Sequence, residues 1–506
     1  MAQSHSFEPY ILTPLDHSTA PVHFSFFLTF LCQNPAAGVS ALEKGVQRLT
    51  TLLPFLSGNV VPSIQLKDTK NVFEVQPTDP SHLRKLPMLK IKQHAQCISA
   101  RNIALNTPAL SSDDLLNLRF IPLPFGTPAS EPQPVLRLQA NVMADGIVLC
   151  VCFHHLATDG LGISSITQAL SECCRNPDQP PERLLSSPES EAQSRTRIFQ
   201  SGNEIHRALY NGHASSIRKA ALSSDPGALT SCRFCLDAEQ IRRLREACTK
   251  VRWINPSAPK YDASRQGFSN NEVVTALIWL CGMRAQSRAT SIGRNRPSLA
   301  GLNSSLLFAV DVRGILNIPR TYMGNAIATP TSTYHFKDTE LHGADTLVFD
   351  TDTPSDLHEF NPNDITLLAN LALSIQQTYQ SVNRSYVRSA ISTIMASKDW
   401  LLPAKHGDLS VSSLRDAPVY DMDFGPCLGT PCDVDVPDNR TDGLAWITPA
   451  RSDYSARLMG YRSRGFWEVR LSLSPAAMES LRSDRLWRQV TLEKPKERTS
   501  AIQGKL

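Results

Sequence analysis

The stretch His154-His155-Leu156-Ala157-Thr158-Asp159-Gly160 follows an apolar run, 147–153, and precedes a helical pattern, 162–174. Both faces of the run are apolar, so it predicts a buried central strand. Before it, apolar and polar residues alternate over 136–142, which indicates a half-buried strand, and Ala144-Asp145-Gly146 forms the connecting turn. The pattern therefore predicts a hairpin whose second strand ends at a pair of histidines.

The histidine pair suits proton transfer. An imidazole titrates near neutral pH, so His155 could take a proton from an alcohol or amine as that group attacks a carbonyl. Asp159 could orient the histidine, or it could turn away and hold the loop by pairing with a distant cation. Gly160 permits backbone angles that other residues resist. These residue types, at the end of a rigid strand, favour a general base at His155.

Two other interpretations of the same residues remain open. A histidine near an apolar strand is often a hydrogen-bonded core residue, and on these seven residues alone that role and catalysis have equal standing. Two histidines followed by an aspartate could also bind a metal. Adjacent strand residues point to opposite faces, however, so His154 and His155 do not naturally chelate one ion. We therefore expect no metal site here.

The composition is that of a globular chain. The 506 residues allow two domains, and 41% hydrophobic and 19% charged residues are ordinary values for a folded protein. The 51 basic and 47 acidic residues leave a net charge of +4, without any block of like charge. This excess suits an anionic small ligand but is too small to argue for nucleic acid.

Targeting and cysteine patterns are weak. The chain starts without an apolar signal core, and the apolar stretch 22–32 is too short for a membrane span and favours a buried strand. The 12 cysteines include a lone Cys232-Arg233-Phe234-Cys235 motif with no second pair to complete a zinc site. The final Gly504-Lys505-Leu506 is near a peroxisomal address but lacks its serine. We expect a cytoplasmic protein with no membrane segment, and peroxisomal targeting is the weaker alternative.

Helical and strand patterns alternate along the chain, without repeats. The Pro-, Ser- and Glu-rich stretch 176–194 indicates a loop or linker. The domain boundary is expected near 205–230, which divides the chain into domains 1–215 and 216–506. In the second half, a capping box at Ser269-Asn270-Asn271-Glu272 begins a helix that is apolar almost all round and therefore buried. A strand is expected at 306–312.

A family resemblance begins at the histidine motif. His-His-x-x-x-Asp-Gly resembles the signature of the CoA-dependent acyltransferase superfamily, which includes chloramphenicol acetyltransferase and the BAHD acyltransferases. Asp311-Val312-Arg313 followed by Tyr322-Met323-Gly324-Asn325 is similar to the D-x-R and Y-x-G-N segment of the BAHD group. Leu12-Thr13-Pro14-Leu15-Asp16 and Phe55-Leu56-Ser57-Gly58 also match. These matches occur in family order, and the fungal trichothecene acetyltransferase type is the nearest in character.

The last match is incomplete. Tyr420-Asp421-Met422-Asp423-Phe424-Gly425 resembles the run that leads into the D-F-G-W-G motif of the family. Here Pro426-Cys427-Leu428-Gly429 follows where the family has Trp-Gly, so the aromatic side chain is missing. Because the family places this motif away from the reacting centre, the resemblance implies structural roles for Asp423, Phe424 and Gly425.

The resemblance also implies a fold and a set of roles. The fold is α/β (α+β), with two similar chloramphenicol acetyltransferase-like domains, each a mixed sheet flanked by helices, and a channel between them. His155 is the base, and Asp159 is a structural support that pairs with Arg313 across the domain interface. Asn325 and Gly160 are candidates for contact with the CoA donor or the substrate.

The implied reaction moves an acyl group, with acetyl as the default, from acyl-CoA to a hydroxyl or amine of a small secondary metabolite. No permanently bound cofactor and no acyl-enzyme are expected, and the protein is expected to be monomeric. The acceptor pocket would be shaped by loops such as 338–363 and 385–408. Two alternatives remain: a condensation-domain-like enzyme that uses carrier-bound acyl groups, and a degenerate member that only binds.

Overall fold

Two mixed β-sheets, each packed against helices, form the frame of the protein in the computed structural model. The structure describes residues 6–66, 68–98, 115, 117–123, 131–176, 186–203, 229–254, 267–290, 299, 301–337, 360–401, 407–437, 440–451 and 465–492. Most of the expected boundary region 205–230, most of the expected acceptor loop 338–363 and the carboxy-terminal tripeptide lie outside these ranges.

The strands in the described ranges are β1 (Tyr10–Ile11), β2 (His23–Leu31), β3 (Asn59–Pro62), β4 (Phe73–Gln76), β5 (Leu89–Gln93), β6 (Leu136–Met143), β7 (Gly146–His154), β8 (Thr230–Asp237), β9 (Asn303–Phe308), β10 (Val310–Asp311), β11 (Ile327–Ala328), β12 (Thr331–His335), β13 (Leu409–Ser413), β14 (Asp433–Asp435), β15 (Leu444–Ile447) and β16 (Phe466–Leu473). The helices there are α1 (Pro35–Leu52), α2 (Pro80–Lys85), α3 (Gly160–Arg175), α4 (Pro188–Asn203), α5 (Ala238–Ile254), α6 (Asn270–Thr290), α7 (Arg313–Leu316), α8 (Pro362–Ser381), α9 (Arg384–Ala396), α10 (Pro475–Ser483) and α11 (Arg485–Val490). Among the described residues, no helix combines the length and the apolarity needed to cross a bilayer.

The first sheet has the strand order β14-β2-β7-β6-β5. Its middle strand, β7, pairs antiparallel with β2 on one side and with β6 on the other, while β5 runs parallel to β6. The side chains of β7 are buried on both faces because helices α1 and α3 cover one face and a second apolar cluster covers the other. The predicted hairpin and the predicted central strand are confirmed.

One prediction for this sheet is wrong. The alternating strand β6 is buried on both faces, and not half-buried as its pattern indicates. Its polar side chains find carbonyl partners: Gln139 Nε2 donates to the Arg119 oxygen at 2.7 Å, and Asn141 Nδ2 donates to the Phe120 oxygen at 2.9 Å. A single turn of 3₁₀ helix, Leu118–Phe120, therefore covers the face that the alternation assigned to solvent.

The second sheet has the order β12-β9-β13-β15-β16-β8 and also combines parallel with antiparallel pairs. Its main supporting helix, α6, begins with the predicted capping box. The Ser269 amide donates to the Glu272 carboxylate at 2.7 Å, and the Glu272 amide donates to Ser269 Oγ at 3.2 Å. The helix is buried through most of its first four turns, so this prediction is confirmed.

The second half of the chain also supplies an edge strand to the first sheet. Strand β14 pairs antiparallel with β2, so Asp433 lies opposite Thr29. Arg233 of strand β8 donates two hydrogen bonds to the Asp433 carboxylate, at 3.0 and 3.1 Å. Strand pairing and a half-buried ion pair thus tie the two sheets together, while the division into domains 1–215 and 216–506 stays a prediction.

Other sequence expectations need correction. The stretch 176–194 is not a loop throughout, because α4 begins at Pro188 and Ser186 Oγ donates to Glu191 within its first turn. The expected strand 306–312 is interrupted after Phe308, where the chain leaves the large sheet and forms β10, which pairs with β11. Within the expected loop 385–408, helix α9 extends to Ala396.

Candidate active site

The two adjacent histidines lie in different surroundings. His154, the last residue of β7, is buried, and its ring lies edge-on to that of His23 with 4.8 Å between centroids. Its Nδ1 accepts a hydrogen bond from the Leu156 amide at 3.3 Å. His155 keeps part of its surface exposed. The strand geometry therefore separates a core histidine from one that a substrate can reach.

The His155 ring is held in one tautomer. Its Nδ1 lies 3.2 Å from the Thr158 carbonyl oxygen, which can only accept, so Nδ1 carries the proton in the neutral ring. The other nitrogen, Nε2, has no hydrogen-bond partner among the described residues and presents a free lone pair. The rings of Phe24 and Phe153 flank the imidazole, with centroids 5.1 and 6.2 Å away. In the neutral ring, Nε2 is therefore the nitrogen that can accept a proton.

Burial also favours the neutral ring. It lowers the pKa of His155 below its ordinary value, and the Thr158 carbonyl and the Asp159 carboxylate oppose that shift without reversing it. The imidazole is therefore unprotonated at neutral pH and able to accept a proton.

Asp159 faces away from the imidazole. Its side chain caps helix α3 by accepting from the Gly162 amide at 2.8 Å. The same oxygen accepts from Arg313 at 2.9 Å, and the second oxygen accepts from the Ala326 amide at 2.9 Å. Both oxygens thus bind the loop to the second half of the chain, and the structure contains the Asp159–Arg313 ion pair that the resemblance implies.

Arg313 is fully buried and uses its guanidinium as a multiple donor. Besides Asp159, it donates to Asp311 at 2.9 Å and to the carbonyl oxygens of Tyr322 and Gly324, each at 2.9 Å. Burial disfavours the charged guanidinium, but the carboxylates of Asp159 and Asp311 outweigh this and keep the pKa of Arg313 above its ordinary value. A planar fork of donors is required for so many partners.

The amides of segment 322–326 are held by three buried carboxylates. Met323 N–H donates to both oxygens of Glu191, Asn325 N–H donates to Asp16 at 2.9 Å, and Ala326 N–H donates to Asp159. This segment can approach α3 only because residue 162 is glycine, since a Cβ there would lie 2.1 Å from the Met323 oxygen. The three carboxylates accept from the buried amides of this segment, and Arg313 donates to its buried carbonyl groups.

Sequence reasoning gave no role to two of these carboxylates. Asp16 belongs to the quoted Leu12–Asp16 match, and that match was its only signal. Glu191 was hidden in the stretch that we expected to be a linker. Both act on Met323 or Asn325, more than 100 residues away along the chain, so local patterns do not reveal them.

Asn325 contacts the His155 backbone, and Gly160 begins helix α3. Asn325 is fully buried, and its Nδ2 donates both to Asp16 Oδ1 at 2.9 Å and to the His155 carbonyl at 2.8 Å. Both of its N–H bonds are therefore occupied within the protein. Gly160 is the first residue of α3, where a Cβ would come within 2.8 Å of Leu414 Cδ2.

The segment 423–425 lies at the carboxy-terminal end of α3, beside Arg175. The buried Phe424 ring packs edge-on against Phe30 with 4.8 Å between centroids, and Asp423 accepts from the Gly425 amide at 2.9 Å. Gly425 has a φ of +89°, which favours glycine, and a Cβ there would lie 2.8 Å from Arg175 Cα. The Phe424 amide donates to the Gly429 oxygen at 2.9 Å, so the loop closes without the family's tryptophan.

The described residues contain no group of three or more His, Cys, Asp or Glu side chains arranged to hold a metal ion.

Two family models match this chain. The Transferase family model matches residues 109–485, and the model of the trichothecene 3-O-acetyltransferase-like N-terminal domain matches residues 25–174. The first match covers more than half of the chain, so the protein belongs to the Transferase family.

Relatives and solved structures agree with this assignment. Fumigaclavine B O-acetyltransferase easN of Aspergillus fumigatus is 29% identical over 95% of this chain and 97% of its own. Communesin N16 acyltransferase cnsK of Penicillium expansum is 33% identical over 89% of this chain and 91% of its own. The crystal structure of F. sporotrichioides TRI101 with coenzyme A and T-2 aligns with a TM-score of 0.67 at 19% identity, covering 96% of this chain and 99% of that one.

A more distant structure, that of vinorine synthase, aligns with a TM-score of 0.57 at 15% identity over 96% of this chain and 94% of that one. Both structural matches extend over nearly the whole chain, so they concern the complete fold. The predicted family, the α/β fold and the enzyme class, an acyltransferase, are confirmed.

Proposed function

We propose that the enzyme transfers an acyl group, with acetyl as the first candidate, from acyl-CoA to a hydroxyl of a small secondary metabolite, and that His155 is the general base. One observation carries the proposal: the half-buried imidazole has Nδ1–H held by the Thr158 carbonyl and Nε2 free. The O-acetyltransferase relative and the coenzyme A in the TRI101 crystal structure support the choice of acceptor and donor.

The proposed reaction is a direct transfer. Nε2 of His155 takes the hydroxyl proton as the acceptor oxygen attacks the thioester carbon, which forms a C–O bond and a tetrahedral oxyanion. The oxyanion then collapses and breaks the C–S bond, and the thiolate of coenzyme A takes the proton from the imidazolium. Acceptor and donor meet at His155 from opposite ends of a channel between the two halves of the fold. No acyl-enzyme is formed.

The contacts support structural roles for the Asp159–Arg313 pair. Asp159 and Arg313 hold the loop and take no proton. Substrate contacts of Asn325 and Gly160 stay predictions, as do the structural roles of Asp423, Phe424 and Gly425. The monomeric state and the cytoplasmic location are also part of the proposal.

An amine acceptor is the second candidate, because one relative of similar length is named as an N16 acyltransferase. The reaction class is tested by incubating the enzyme with a panel of acyl-CoAs and of secondary-metabolite alcohols and amines, with release of the CoA thiol and product mass as readouts. Transfer to an alcohol supports the proposal. Transfer from a carrier-loaded thioester but not from acyl-CoA would favour a condensation-type enzyme, and no release with any pair, without thermal protection by CoA, would contradict the proposal.

The pH dependence should report the neutral imidazole. Since burial lowers the pKa of His155, the unprotonated base persists below its ordinary value of about 6.5. We therefore expect kcat/KM to stay level from pH 8 down to about 6.5 and to fall only at more acidic pH. A profile of kcat/KM between about pH 5 and 9 measures this, and an acid limb centred above about 7 would contradict the assignment.

A further inference from the structure

Asp16 is a buried carboxylate that the proposed reaction does not use. It begins a short 3₁₀ turn, Asp16–Ser18, and only 1% of its surface is exposed. One oxygen accepts from the amide and the hydroxyl of Thr13, at 2.6 and 2.7 Å. The other accepts from the amide and the Nδ2 of Asn325, both at 2.9 Å.

All four partners of Asp16 are neutral donors. Among the described residues, no cationic side chain forms an ion pair with it, and burial raises its pKa to about 6 while the hydrogen bonds oppose that rise. The Thr13 amide and the two N–H groups of Asn325 can only donate, so they favour the ionised carboxylate, while the Thr13 hydroxyl can donate or accept. Burying such a group costs free energy that only well-made hydrogen bonds offset.

Asn325 connects this carboxylate to the catalytic loop. Its Nδ2 faces two acceptors, Asp16 Oδ1 and the His155 carbonyl, so the amide has one orientation. Its Oδ1 is buried and has no hydrogen-bond partner within the described part of the chain. The hydrogen bond from Asn325 Nδ2 to the Asp16 carboxylate therefore keeps the Asn325 amide in this orientation, although its Oδ1 is left without a partner.

Besides the Asn325 bond, the described residues give the His155 backbone two hydrogen bonds. Its amide donates to the Val22 oxygen at 2.9 Å, and its carbonyl also accepts from Thr19 Oγ1 at a longer 3.2 Å. The Asn325 bond, at 2.8 Å, is the shorter of the two contacts to that carbonyl. The position of the His155 backbone, and with it the direction of Nε2, thus depends on the amide that Asp16 orients.

We propose that Asp16 is a positioning residue for His155, which acts by fixing the Asn325 amide that holds the His155 carbonyl. This inference rests on the proposed function of His155 as base. Asp16 touches no reacting atom in this arrangement. Its loss should therefore lower kcat and leave the KM for acyl-CoA nearly unchanged, because a small displacement of a catalytic group slows the reaction without weakening substrate binding.

The test compares Asp16→Asn with Glu74→Gln. Glu74, in strand β4, is also a buried carboxylate held by neutral donors, with Ser63 Oγ at 2.6 Å, and it lies outside the site. In Asp16→Asn the new side-chain N–H faces either the Thr13 amide or the two N–H groups of Asn325, depending on which way the amide turns, and these groups cannot accept it. We expect it to lower kcat about tenfold or more with KM within about twofold, whereas Glu74→Gln keeps the wild-type kcat at a comparable loss of Tm.

A double variant, Asp16→Asn with Asn325→Asp, separates positioning from stability. It restores one side-chain hydrogen bond between positions 16 and 325 with reversed direction, but it leaves the residue-325 amide facing an N–H and provides no N–H for the His155 carbonyl. We expect Tm to recover towards that of the wild type while kcat stays as low as in Asp16→Asn. Recovery of kcat together with Tm, or a wild-type kcat in Asp16→Asn, would overturn the positioning role.

A readout independent of turnover is the His155 Nδ1–H signal in ¹⁵N-labelled enzyme. It should shift in Asp16→Asn and in the double variant but not in Glu74→Gln; an unchanged signal in all three refutes the inference. If the wild type transfers acyl groups and its activity depends on His155, the proposed function holds, and the variant results test only the positioning role of Asp16. If the wild type transfers nothing, the proposed function fails, and the signal still decides whether Asp16 orients the ring.

Discussion

Replacement of His155 by alanine is expected to lower turnover by about 10²-fold or more while the protein still folds. The imidazole is half-buried at the end of β7, and its Nε2 is the proton acceptor in the proposed reaction. Removal of the ring leaves the Asp159–Arg313 pair and the central sheet intact. Release of CoA thiol gives the rate, and thermal unfolding followed by circular dichroism gives the fold.

The control for this variant is His335→Ala, because His335 is exposed on strand β12 of the other sheet. We expect it to keep the wild-type rate. A rate in His155→Ala within a few-fold of the wild type would remove His155 from the mechanism. Thermal protection of His155→Ala by coenzyme A should persist, because the ring is proposed to act on the acceptor proton and not to bind the donor.

Replacement of Arg313 by lysine should damage folding as much as turnover. Lysine keeps the charge but has one nitrogen, which cannot reach Asp159, Asp311 and the carbonyl oxygens of Tyr322 and Gly324 together. Each buried carbonyl or carboxylate left without its donor costs about 1–3 kcal/mol. We therefore expect Tm to fall by several degrees and kcat to fall with it, since segment 322–326 and the His155 loop share these bonds.

The matched control is Arg242→Lys. Arg242 also donates to two carboxylates, those of Glu239 and Glu246, but it does so on the exposed face of helix α5. Exposed ion pairs contribute little to stability, so this variant should melt like the wild type. An unchanged Tm in Arg313→Lys would mean that the buried fork does not support the interface.

Much of this architecture can be predicted from the sequence because it depends on local periodicity. The apolar run before His154 predicts β7, and the Ser269–Glu272 box predicts the start of α6, since both signals lie within a few residues. The motif at His155 indicates the base. The alternation of polar residues in β6 gives a wrong prediction of solvent exposure, because the carbonyl groups of Arg119 and Phe120 accept hydrogen bonds from its polar side chains in place of water.

Local sequence patterns do not predict the buried carboxylates that support the site. Asp16 meets Asn325 across 309 positions, and Glu191 meets Met323 across 132. Periodicity reports which face of an element is buried, and it carries no information about which distant amide a carboxylate will accept from. The family resemblance marked the segments of Asp16 and Asn325 but not that of Glu191, and only the folded chain shows the contacts between them.

Strand β14 has a consequence for the order in which the protein can be completed. The edge of β2 acquires its partner only when residues 433–435 arrive, after most of the second sheet's chain has been made. Until then, the amino-terminal half presents the backbone groups of a long apolar strand, a surface that invites pairing with other chains. Separate expression of residues 1–215 would leave the edge of β2 without the partner that β14 supplies in the whole chain.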